Sequence, residues 1–196
     1  KKSKEVLWKL LKSADIFIHN MRPEKIIKLG FGYNEIAKAF SNIIFVGLHG
    51  YGENGDYSGQ PAYDDIIQAQ CGLVGLNMEK NPSPQYFPTV VADKSIGLLA
   101  TVGLLASYIK KLKTGKGSCL EISMFEGMAS YVLVEHQYVE IFYPPLDKLG
   151  YPRLLANSRK PYKTLDGYIS ILPYTDKQWF KFFDLIKMPE LQKVKN

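Results

Sequence analysis

A chain of 196 residues that is 46% hydrophobic and 22% charged can bury one good core, which excludes a disordered or fibrous segment. Its formal charge of +6 favours an anionic partner, but the lysines are scattered and no helix-turn-helix, zinc-ligand or RNP pattern is present, which counts against nucleic acid. Cys71 and Cys119 are its two cysteines; without paired spacing they exclude a disulfide framework or a zinc site and point to a reducing compartment, the cytoplasm.

Residues 1–13 read as an amphipathic helix, with Val6, Leu7, Leu10 and Leu11 on one face and Lys2, Lys4, Lys9 and Lys12 elsewhere. Glu5 and the direct run into a strand argue against a targeting peptide. With a helix already under way and no initiating methionine, the chain reads as a piece of a longer enzyme. Residues 15–20 form a short β-rich run, and Pro23 opens a helix at its first turn. A short helix is expected over 34–40 and a buried strand over 42–49, rich in Ile43, Ile44, Phe45 and Val46. Strand, helix, strand in that order implies a parallel crossover, and ligands of open α/β sheets bind at the strand ends.

The loop over 50–60 is punctuated by Gly50, Gly52 and Gly55. Such glycines can bring backbone N–H groups to a phosphate, but the spacing matches neither a Walker loop nor a dinucleotide fingerprint, so turn formation is the expected role. A helix then begins near Tyr63 or Asp64. Asp64 and Asp65 point about 100° apart on it and read as first-turn acids favoured by the helix dipole, not as a catalytic pair.

Asp93 lies between the apolar run before it and a helix expected over 93–108, with Ile96, Leu98, Leu99, Val102, Leu105 and Ile109 repeating and Gly115 and Gly117 as stops. A carboxylate at that junction can be an N-cap, worth about 1 kcal/mol. It can also be an ionised nucleophile toward an activated carbonyl, since both roles need the same placement. A strand over 119–123 and a long helix over 125–143 follow, ended by Pro144 and Pro145. Residues 144–160 are irregular and read as a linker. Residues 162–172 read as two strands about Asp166-Gly167, and 176–186 as an aromatic-rich helix whose Trp179, Phe180, Phe182 and Phe183 suit a core. The expected division is therefore 1–143, 144–160 and 161–196. Longer apolar stretches are interrupted by glycine, lysine or proline, so no membrane span is expected. His19, His49 and His136 are too far apart to declare a metal site; His19 and His49 end strands and read as satisfied structural groups or ligand neighbours, and His136 as a surface residue.

Taken in order, Asn20-Met21-Arg22-Pro23, Lys28-Leu29-Gly30-Phe31-Gly32-Tyr33, Gly50-Tyr51-Gly52-Glu53-Asn54-Gly55, Pro61-Ala62-Tyr63-Asp64-Asp65-Ile66-Ile67-Gln68-Ala69, Val91-Ala92-Asp93, Thr114-Gly115-Lys116-Gly117 and Leu165-Asp166-Gly167-Tyr168 resemble the class III CoA-transferase family, which includes formyl-CoA and carnitine CoA-transferases and α-methylacyl-CoA racemases. The resemblance implies an α/β fold: a Rossmann-like parallel sheet with flanking helices as a partial large domain, then a linker and the start of a small α+β domain. It puts the catalytic aspartate on Asp93, CoA contacts on Asn20, Met21, Arg22 and Lys28, and an active-site tyrosine on Tyr63. Racemases carry a histidine base at that last position, so Tyr63 favours a transferase. Met21 stands where phenylalanine is usual and Lys28 where arginine is usual; lysine keeps the charge but loses the bidentate fork. The implied partners are acyl-CoA and a carboxylic acid, with coenzyme A as the carried group, no metal, and an interlocked homodimer. An acyl-CoA racemase of the same fold and a non-catalytic CoA-binding fragment are the alternative readings.

Overall fold

The computed structural model describes residues 2–193. Its first unit, ending at Gly150, is built on a parallel sheet of β1 (Ile16–His19), β2 (Ile44–His49) and β3 (Ser118–Ser123), in that order. Ile16 pairs with Ile44 and Ile44 with Ser118, so β2 is the central strand. That position accounts for its unbroken apolar run: Ile44, Phe45 and Val46 are all buried, as a strand covered on both faces requires.

The pleat sorts the two faces by register. Phe17, His19, Phe45, Gly47, His49, Cys119 and Glu121 share one face. It is covered by α1 (Lys2–Leu11), α2 (Pro23–Lys28) and α3 (Tyr33–Ala39), whose Leu11, Ile26 and Ile36 cluster with Phe31, Ile43 and Phe45. Trp8 closes that cluster with its ring 5.4 Å from Phe31 and 6.0 Å from Phe40.

The other face is covered by α6 (Val91–Thr114). Of the large repeating residues of α6, Ile96 faces inward but most of the others do not. Ala92, Ile96, Ala100 and Ser107 are its buried positions, and Gly103 rests on Leu120 and Ile122. Small side chains let the helix lie close to the sheet, while Leu98, Val102, Leu105, Ile109 and Leu112 stay exposed. Glycine does not interrupt it either. Gly97 and Gly103 lie within one helix of 24 residues, which is long and apolar enough by length and composition to cross a membrane, although no span was expected from the sequence. It stops at Gly115, in the left-handed region at φ +69°.

In the chain between β2 and α6 come α4 (Asp64–Gln70) and α5 (Leu73–Met78). Gly72, at φ +90°, separates them, and the sequence pattern did not announce α5. After β3 comes α7 (Met124–His136), shorter than the helix expected to reach residue 143. Tyr138 sits at φ +41°, outside helical space, and a 3-10 turn over Tyr138–Ile141 replaces the continuation. The chain folds back there: Gly150 N–H donates to the His136 carbonyl at 2.7 Å. His136 is consequently buried at the end of α7, not exposed in mid-helix. Tyr51, Ile67, Cys71, Ala92, Ile96, Met128 and Val132 form the core joining α4, α6 and α7.

The second unit begins at Tyr151. The stretch expected to be irregular contains α8 (Pro152–Leu155). β4 (Tyr162–Lys163) and β5 (Tyr168–Ile169) form an antiparallel hairpin, closed by Thr164 N–H on the Gly167 carbonyl. α9 (Asp176–Leu185) starts with a reciprocal capping box between Thr175 and Gln178. Trp179 lies within 6.0 Å of Phe182 and Phe183, but with Phe180 it is exposed, not a closed core.

Candidate functional site

At the C-terminal ends of β1 and β2 the chain opens a cleft of about 230 Å³, where an open α/β sheet places its ligands. Asn20 and Arg22 enter it from the turn after β1, His49, Gly50 and Tyr51 from the end of β2, and Tyr63 from the start of α4. Arg22 is fixed across the cleft mouth: Nη1 donates to the Gly59 carbonyl at 3.2 Å and Nε lies 3.4 Å from Glu24. Tyr63 occupies the N-cap position of α4 with its side chain 77% exposed. Of the six residues singled out from the sequence, Asn20, Arg22 and Tyr63 thus share one cleft. Met21 and Lys28 do not line it; Lys28 closes α2, outside.

Asp93 does not line this cleft; its backbone is tied to Asp64, the residue that follows Tyr63. Nor is Asp93 the N-cap of α6. Val90 holds that position, so Asp93 is the third helical residue, in the first turn. The apolar run before Asp93 turns into the helix two residues earlier than expected, with Val91 N–H donating to the Thr89 carbonyl. Asp64, next to Tyr63, performs the capping: its Oδ1 accepts the Asp93 N–H at 2.8 Å. Asp64 is buried, and its Oδ2 accepts from Gln68 Nε2 at 2.6 Å. Gln68, fully buried, also donates to the Thr89 carbonyl and accepts the Phe87 N–H at 2.9 Å.

This network satisfies the backbone around the α6 start while leaving the Asp93 carboxylate unengaged. Partial burial and, second, the Asp64 carboxylate push Asp93 above the usual aspartate range. A raised, unpaired carboxylate is the more basic and more nucleophilic one once ionised. Asp64 is a first-turn acid of α4, as its position in the sequence suggests; what spacing alone does not reveal is that it also serves Asp93, 29 residues further on.

The glycine loop is pinned by acids. Gly52 N–H is held by both oxygens of Glu126, at 3.0 and 3.2 Å, and Glu53 N–H donates to Glu121 Oε1. Burial works to raise Glu126, but hydrogen bonds from Ser123, its own backbone and Gly52 outweigh it and hold it below the usual range. These N–H groups are already taken by carboxylates, which leaves the loop as a turn and not an anion nest. No cluster of three or more metal-binding side chains occurs among the described residues.

Comparison with known proteins identifies the family. The model of CoA-transferase family III matches residues 1–196, and the chain belongs to that family. It is 26% identical over 190 residues to human succinyl-CoA:glutarate CoA-transferase, covering 97% of this chain and 43% of that protein. It is 36% identical over 126 residues to (R)-2-hydroxy-4-methylpentanoate CoA-transferase of Clostridioides difficile, covering 64% and 32%. A Mycobacterium tuberculosis protein solved as a hypothetical protein superposes with TM-score 0.83 at 24% identity, over 100% of this chain and 52% of that one. A CAIB/BAIF family protein from Brucella suis gives 0.81, also at 24% identity, over 100% and 52%. The α/β fold is thereby shared, and the chain spans about half the length of these structures and less than half of both curated relatives.

Proposed function

We propose that the whole protein is an acyl-CoA:carboxylate CoA-transferase in which Asp93 is the nucleophile. The observation that supports this reading is the hydrogen bond from Asp93 N–H to buried Asp64, the residue after cleft-lining Tyr63, which secures the start of α6 and leaves the Asp93 carboxylate without a hydrogen-bond partner among the described residues. The cleft is too small for a whole CoA and suits its thioester end. Asn20 and Arg22 orient that end, and Met21, Lys25 and Lys28 lie on the outer side, where the lysines offer charge to phosphates.

Asp93 attacks the thioester carbonyl of the donor; the carbon–sulfur bond breaks and CoA thiolate leaves, giving an aspartyl anhydride. The Asp93 carbonyl then accepts the thiolate, its bond to the acyl oxygen breaks, and the donor acid is freed with Asp93 as a CoA thioester. An acceptor carboxylate reverses both steps and regenerates Asp93. Tyr63 adjoins this path with its hydroxyl available to the tetrahedral oxygens. The full-length enzyme is read as an interlocked homodimer in the cytoplasm, whose remaining polypeptide covers the exposed leucines of α6.

The test is hydroxylamine trapping during turnover with an acyl-CoA, followed by peptide mass spectrometry. A hydroxamate on Asp93 supports the transferase. Exchange of the α-proton with no trapped aspartate identifies a racemase of the same fold, and CoA binding with neither reaction identifies a non-catalytic chain.

A further inference from the structure

Two imidazoles that the aspartate chemistry does not use lie side by side at the end of the sheet. His19 and His49 end adjacent strands with ring centroids 5.7 Å apart. Only glycine at position 47 permits this, because a Cβ there would sit 2.6 Å from His49 Nε2 and 3.6 Å from His19 Nε2. His49 is 7% exposed and lines the cleft with Asn20 and Arg22; His19 lines the adjoining cavity with Cys119, Glu53 and Glu35.

Each ring has one nitrogen engaged. His19 Nδ1 accepts the Met21 N–H at 3.2 Å, which places the ring proton on Nε2. His49 Nε2 lies 3.2 Å from Glu53 Oε1, which places the ring proton there and leaves Nδ1 as a lone pair. The two remaining atoms, His19 Nε2 and His49 Nδ1, are both buried without a partner in the protein. One is a donor and the other an acceptor. Buried polar atoms find partners, and with the rings 5.7 Å apart and not directly hydrogen-bonded, one shared water between this donor and this acceptor satisfies both. A metal ion does not suit the pair, since the Met21 contact uses the only lone pair of neutral His19.

We propose that His19 and His49 are positioning residues: a neutral, tautomer-locked relay running from Met21 N–H through His19 and His49 to Glu53, which holds the Asn20–Arg22 turn in the shape that meets CoA. This rests on the reading of that turn as a CoA contact. Burial and, second, the neighbouring His49 keep His19 below the usual histidine range, so the relay is intact at neutral pH. Protonation would put a proton on His19 Nδ1 facing the Met21 N–H, donor against donor, and free the turn. Glu53 on the loop, Glu121 and Cys119 on β3, Glu35 and Tyr33 on α3, Arg22 on the turn after β1 and Tyr51 after β2 are the titratable and charged groups around the pair.

The test uses the full chain labelled with ¹⁵N-histidine, with ring tautomers read by long-range ¹⁵N–¹H correlation at pH 7.5 and coenzyme A affinity read by calorimetry. Both rings are expected neutral and Nε2-protonated; an Nδ1-protonated or cationic His19 overturns the relay whether or not CoA binds. His19→Gln, which lacks an acceptor at the Nδ1 position, should weaken CoA about tenfold, as loss of one positioning hydrogen bond implies. His19→Asn, which returns that acceptor, should recover most of the affinity. Equal affinities for the two variants overturn the positioning role, whereas no CoA binding by the unaltered chain with the expected tautomers refutes the CoA reading alone.

Discussion

Carboxylates reach across the chain to hold backbone N–H groups in two places, the glycine loop after β2 and the first turn of α6, and their surroundings give them opposite consequences. At the loop, Glu126 and Glu121 occupy N–H groups that could have met an anion, and the contacts lie at the exposed surface, where such bonds are individually weak. At α6 the acceptor is buried Asp64, backed by fully buried Gln68, where an unmade bond costs much more. The same interaction closes a loop in one case and in the other secures a helix start beside a carboxylate left without a hydrogen-bond partner. Burial of the acceptor decides which.

The comparison breaks most severely at that carboxylate. Asp93→Asn should lower transfer by at least about 10³-fold, as removal of a covalent nucleophile does, checked by acyl-CoA turnover. The same variant should leave the protein at least as stable at neutral pH. A carboxylate whose pKa is raised by folding costs stability above the window between its unfolded and folded values, and nothing below it; denaturation at pH 7 and pH 3.5 checks the sign.

Asp64→Asn attacks the buried support. The Gln68 amide is oriented by its bonds to Thr89 and Phe87, so the new amide, keeping its oxygen on Asp93 N–H, would turn a donor toward the Gln68 donor. A loss of about 1–3 kcal/mol in urea unfolding follows from the unpaired buried groups, with a fall in kcat larger than any change in KM. Gln68→Leu should cost a similar 1–3 kcal/mol, by stranding the Phe87 N–H and one Asp64 oxygen.

The smallest effect belongs to the loop. Glu126→Gln should change stability by less than about 1 kcal/mol at pH 7. Because folding depresses the Glu126 pKa, its contribution is present above the unfolded value and fades as pH falls through the folded one. The variant should therefore differ from the parent at pH 7 and converge with it in acid; a constant difference across pH would assign the effect to something other than charge.

Much of this architecture was legible in the residues. The apolar run of Ile44, Phe45 and Val46 marked a doubly covered strand, Pro23 marked a helix start, and Asp166-Gly167 marked a hairpin, because each is a local preference that the fold does not oppose. Asn20, Arg22 and Tyr63 were legible as one group through motif order, and the cleft brings them together. What was not legible depends on partners distant in sequence. β-branched Val90 and Val91 favour strand locally, yet they open α6 because Asp64 and Gln68 secure the backbone there. The leucines of α6 suggested an inward face, but, Ile96 aside, the small residues are the buried ones: Gly103 meets the sheet, and Ala92 packs in the core with α4 and α7. His136 is buried by a returning loop that helical spacing cannot foresee.

The pairing of Ile44 with Ser118 also bears on how the chain acquires its shape. β1 and β2 are joined by a short crossover and can meet early, whereas β3 must wait until α4, α5 and the whole of α6 have been laid down between the paired strands. Closing so long an intervening segment is entropically slow. During synthesis the central strand therefore emerges with one edge unclaimed, and the apolar Ile44–Leu48 stretch is the segment most in need of shielding from other nascent chains until Ser118 arrives.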